Sequence, residues 1–120
     1  MVRGIRGATT VENNEKDEII HATTKLLEAL IQQNKINPKH VASIQFTMTT
    51  DLDAVFPAEA VRDFKGWTNV PLLCSSEIDV KGSLPMCIRL LMTVNTTDDQ
   101  DQINHVYLEK AVSLRPDLAS

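Results

Sequence analysis

Two periods alternate along the chain, and each marks a kind of element. Ile19, Ile20, Thr23, Leu26, Leu27, Leu30 and Ile31 recur at three- and four-residue spacing. That is one face of a 3.6-residue repeat, and it predicts an amphipathic helix over about residues 15–34. Asn14 is placed to cap it, Asp17 and Glu18 suit the positive end of its dipole, and Asn34 and Pro38 close it. Over residues 43–49 the period falls to two. Ile44, Phe46 and Met48 face one way, Gln45, Thr47 and Thr49 the other, as on a half-buried strand. Residues 87–94 repeat the pattern, with Ile88, Leu90, Met92 and Val94 on one face and Cys87, Arg89 and Leu91 on the other.

The remaining stretches are shorter. Residues 2–8 read as a first strand, ending near Arg6, where Gly4 and Gly7 let another backbone or a ligand come close. Residues 9–14 are polar and turn-like. Residues 51–56 form a loop. Pro57 then opens a short helix that runs to about Lys65 and stops at Gly66. Residues 70–75 are a short strand whose Pro71 points to a sheet edge. Loops follow at 77–85 and 95–102, and residues 103–108 read as a last strand. No repeat, linker or low-complexity segment interrupts this order. One domain over residues 1–120, of the α+β or α/β class, is expected.

Composition narrows the picture. Of 120 residues 42% are apolar, enough for one core, and only five are aromatic, so that core must be largely aliphatic. The net charge of -4 lacks the basic excess of a nucleic-acid binder. No apolar run approaches the ~18 residues of a membrane span. The first ten residues carry arginines without the apolar centre of a secretory signal. Cys74 and Cys87 are too few for a disulfide framework, so a reducing cytoplasm is the expected setting, and the sequon at Asn95 has no export signal to serve.

Most chemical signatures fail. His21, His40 and His105 are scattered and make no zinc pattern. The acidic run at Asp98, Asp99 and Asp101 puts Ile103 where a calcium loop needs glycine. Neither a phosphate-binding loop nor a cysteine nucleophile motif is present, and each cysteine reads best as a small buried apolar residue. What survives is arginine. Arg3, Arg62 and Arg115 read as surface ion-pair partners. Arg89 stands mid-strand among apolar neighbours, where it needs a partner or a cavity. With Arg6, Arg62 and Tyr107 it could present planar forks to a ligand bearing several carboxylates.

One family joins these residues. Arg3 to Thr10, Asp51 to Ala58, Gly66-Trp67, Val70-Pro71-Leu72, Cys74, Glu77 to Val80, Cys87-Ile88-Arg89, His105 to Glu109 and Leu114 to Leu118 together resemble the AroH-class, non-helical chorismate mutases, over nearly the whole chain. The resemblance implies a pseudo-α/β-barrel homotrimer, a mixed sheet packed with helices, and active sites at subunit interfaces. It implies an isomerase that turns chorismate into prephenate on the route to phenylalanine and tyrosine, with no cofactor and no metal. By the same resemblance Arg6 and Tyr107 hold substrate carboxylate, Arg89 donates to the ether oxygen, and Glu77 accepts from the ring hydroxyl beside Cys74. Phe56, Leu73 and Leu114 line the pocket. Arg62 and Arg115 lie near its mouth, on or beside a tail that is mobile in the family.

Two departures stand out. Glu59 occupies a position near the entrance where the family pattern leads one to expect a basic residue, and the tail ends early, at Ser120, which puts its closure over the site in question. The alternatives are a trimeric enamine/imine deaminase, whose characteristic stretches are missing, and a non-catalytic ligand-binding trimer, which would have no need of both Arg89 and Glu77.

Overall fold

A computed structural model describes residues 1–114. Five strands form one mixed sheet: β1 (Val2–Thr10), β2 (Val41–Met48), β3 (Leu72–Ser76), β4 (Cys87–Asn95) and β5 (Val106–Tyr107), in the order β3-β2-β4-β1-β5. Strand β4 lies between β2 and β1 and runs antiparallel to both, while β3 and β5 add parallel pairs at the two edges. The one α-helix among the described residues, α1 (Lys16–Asn34), connects β1 to β2 and packs on one face of the sheet.

Alternation decides what that helix covers. Ile5, Ile44, Phe46, Leu90, Met92 and Val94 point toward it and meet Leu26, Leu27 and Leu30 in one core. Gly7 permits the close approach: a Cβ there would meet the Leu26 and Leu30 side chains at 3.2 Å. The core is mostly aliphatic, with Phe46 and Trp67 as buried aromatics. Among the described residues no α-helix lies on the opposite face of the sheet. Arg6, Ala8, Thr47, Leu73, Arg89 and Leu91 belong to that open face by the same alternation.

Several boundaries differ from the sequence expectation. Asn14 does not cap α1. Glu15 holds the cap position without a side-chain bond, and the Glu18 carboxylate accepts from the backbone N–H of Glu12 and Asn13 instead. Asn14 reaches across to the loop after β2, accepting from the N–H groups of Asp53 and Ala54. Strand β1 extends to Thr10, so Arg6 is mid-strand, because Thr9 and Thr10 pair with Ile88 and Cys87. The helix after Pro57 is a 3-10 turn, Pro57–Asp63, ahead of Gly66 at φ +89. Strand β3 begins at Leu72, after the Pro71 that cannot donate to a ladder, and it is the predicted edge. Within 103–108 only Val106–Tyr107 pairs as strand. Asn34 grips both the N–H and the carbonyl of Asn104 and fixes the approach to β5.

Candidate active site

A single row of the open face holds the charged centre. Strand register places Ser75, Thr47, Arg89, Ala8 and Tyr107 side by side across all five strands. Ala8 is the small member, and it leaves a gap between Arg89 and Tyr107. Arg6 stands two residues back along β1, and Leu114 closes the far side. The resulting cavity, about 160 Å³, is lined by Arg6, Ala8, Arg89, Tyr107 and Leu114. Strand β5 is held in place there by two contacts to β1: the Arg6 N–H donates to His105 Nδ1 at 3.0 Å, and the Leu108 N–H to the Ala8 carbonyl at 2.9 Å.

Glu77 enters the row from the end of β3. Its N–H bonds the Met48 carbonyl at 2.8 Å, which continues the β3 alternation for one residue and turns the side chain to the open face. One carboxylate oxygen, Oε1, accepts from the Thr47 hydroxyl at 2.5 Å and lies 3.4 Å from Arg89 Nε. Arg89 Nε is buried and makes no hydrogen bond among the described residues. A mid-strand arginine has therefore found a countercharge without a fully aligned bond to it. Thr47 had no signal beyond its place on the polar face of β2. Only the pairing of Thr47 with Arg89, a tertiary fact, brings it to the site.

The other expected residues gather elsewhere. Phe56, Arg62, Leu73 and Cys74 line a cavity of about 570 Å³ at the β3 edge, together with Glu59. Phe56 is 69% exposed and Leu73 63% exposed. Glu59 forms an ion pair with Arg62 at 3.7 Å. Arg3, expected as a surface partner, lies 3.9 Å from Asp99. Arg115 lies outside the described residues. Cys74 on β3 and Tyr107 on β5 belong to opposite edges of the sheet, four strand spacings or ~19 Å apart at ~4.8 Å each. The described residues of one chain thus carry two groups of expected site residues, one around Arg89 and one at the β3 edge.

The cysteines differ in setting. Cys87 is fully buried, as expected, whereas Cys74 is only half-buried. Burial pushes both thiols above the ordinary range. The Arg89 charge draws Cys87 partly back, and a bond with the Ala58 backbone does the same for Cys74. Both are neutral thiols at pH 7, which suits packing and not nucleophilic attack.

A family model described as chorismate mutase type I matches residues 2–118. The chain belongs to the type I chorismate mutase family. Its curated relatives in the family include the chorismate mutase AroH of Bacillus subtilis, 55% identical over 99% of this chain and 94% of the relative. Another is the chorismate mutase AroH of Thermus thermophilus, 50% identical over the whole chain and 98% of the relative. The solved chorismate mutase from Clostridium thermocellum superposes with a TM-score of 0.89 at 50% identity, covering 92% of this chain and 98% of that one. The mixed sheet with one helical face is therefore the family's fold. Among the described residues, no helix is long and apolar enough to cross a membrane.

Proposed function

We propose that the chain catalyses the unimolecular rearrangement of chorismate to prephenate, with Arg89 and Glu77 as the pair that meets the charge separation of the transition state. The observation that carries this reading is their geometry: an arginine on β4 and a carboxylate just past the end of β3, 3.4 Å apart, with the arginine lining a cavity that also presents Arg6 and Tyr107. The reaction breaks a carbon–oxygen bond and forms a carbon–carbon bond without a nucleophile or an external proton. As the bond breaks, the ether oxygen gains negative charge and the ring becomes relatively positive. A guanidinium oriented in advance stabilises the oxygen with no reorganisation at the moment of reaction. Glu77 does the complementary work at the ring, where it accepts from the hydroxyl. Arg6 and Tyr107 hold the substrate carboxylate, so the flexible side chain stays in its compact, reactive conformer.

Size argues that one chain supplies part of a site. The Arg89 cavity, about 160 Å³, is below the ~300 Å³ at which ligand pockets begin. The second group stands at the opposite edge of the same sheet, beyond the reach of one small ligand. A cyclic homotrimer resolves both points, because each copy lays its β3 edge, with Phe56, Leu73, Cys74 and Arg62, over the Arg89 centre of the next. Chorismate is the sole substrate and no cofactor takes part. The cytoplasm is the setting, where both thiols stay reduced.

The test is a chorismate assay on the purified chain with no metal or cofactor added, read by ultraviolet loss and by the identity of the product. Stoichiometric prephenate from a particle of three chain masses is expected. Binding without turnover would leave a carboxylate-binding protein.

A further inference from the structure

We propose that Thr47 is a positioning residue for this reaction, one that holds Glu77 in a one-point contact with Arg89. The inference rests on the roles just given to Arg89 and Glu77. Left alone, an arginine and a carboxylate at this range close into a two-point fork, because the planar guanidinium matches both oxygens. That closure would turn the Arg89 donors onto Glu77 and neutralise the two charges that the transition state needs apart. The geometry opposes it. Oε1 of Glu77 is held by the Thr47 hydroxyl at 2.5 Å, while Arg89 Nε stands off at 3.4 Å with no aligned hydrogen bond. Both of these contacts are made by Oε1, and in the proposed role Oε2 accepts from the ligand hydroxyl.

Thr47 is well placed for this. It is the direct cross-strand partner of Arg89 on β4 and of Ser75 on β3, so it lies between the guanidinium and the strand that carries Glu77. Its backbone is fixed by ladders on both sides. Its hydroxyl therefore reaches the carboxylate from a fixed backbone position, and their bond ties the carboxylate to that place.

The test compares kcat and KM for chorismate in Thr47→Val, Thr47→Ser and Glu77→Ala, and in Thr47→Val combined with Glu77→Ala. Valine keeps the shape and suits a strand. Thr47→Val should lose about 10- to 100-fold in kcat, the scale of one hydrogen bond to a charged group, with KM little changed. Thr47→Ser should keep most of the activity, because it keeps the hydroxyl. In the Glu77→Ala background the valine should cost almost nothing further, since there is no carboxylate left to place. Wild-type kcat in Thr47→Val, equal losses in Val and Ser, or a full additional loss in the double variant would each overturn the role of Thr47 while the reading of the site stands. Wild-type turnover by Glu77→Ala would overturn the site reading itself, and this inference with it.

Discussion

The centre of the open sheet face and its β3 edge carry comparable numbers of expected site residues in different states of completion. At the centre, Arg89 and Glu77 are partly buried and already face each other, with Thr47 bonded to the carboxylate. At the edge, Phe56 and Leu73 stand in solvent, and Arg62 spends its charge on Glu59. The centre is supported by ladders on β2, β4 and β1, whereas β3 has a neighbour on one side only. Preorganised charge belongs where the backbone is most constrained, and a binding wall belongs where another copy can reach it. On the proposed reading, the difference gives electrostatics to the centre and enclosure to the edge.

Breaking the enclosure should have the largest effect. Leu91, 42% exposed, sits on the open face of β4 next to Arg6 in the register. Leu91→Asp puts a charge where the proposed trimer buries that face, and its cross-strand cation, Arg6, is the residue given to the substrate, so burying the charge is costly even when it is paired. Sedimentation should show single chains with native far-ultraviolet dichroism and no turnover. An unchanged particle would mean that the open face is not the covered one.

Removing the carboxylate at the centre comes next. Glu77→Ala should lose on the order of 10²-fold in kcat, the scale of one preorganised electrostatic group, with the assembly intact by light scattering. If the particle dissociated instead, Glu77 would be a structural residue.

The smallest effect belongs to the edge. Glu59→Gln releases Arg62 from its ion pair and removes a negative charge facing a dianion. Exposed pairs contribute ~1 kcal/mol or less, so KM should fall by about fivefold at most, with kcat unchanged and the gain erased at high salt. A lower kcat would place Glu59 nearer the chemistry than the β3 edge.

Much of this is legible in the sequence. The helix over residues 15–34 and the strands carrying Ile44 and Leu90 follow from apolar period, since burial on one face leaves that signature whatever the partner is. Pro71 marked the edge strand by removing a donor. Arg89 announced itself because a charge amid apolar alternation has to be answered. Other features depend on contacts distant in sequence. Asn14 looks like a helix cap, but Asp53 and Ala54 offer it better bonds, and Glu18 serves the turn instead. Only two residues of 103–108 pair as strand, because Asn34 and His105 hold the residues before them by side-chain bonds instead. The division of the site residues between two cavities follows from strand order, which no local pattern encodes. Thr47 was hidden for the same reason.

The central claim is that a fixed guanidinium on β4 carries the reaction. Chorismate turnover by Arg89→Ala, measured beside the unaltered chain with both shown to have the same mass and fold, tests it most directly. The account predicts a loss in kcat on the order of 10²-fold or more, the scale of one missing donor at a developing negative charge. Near-normal turnover would contradict it.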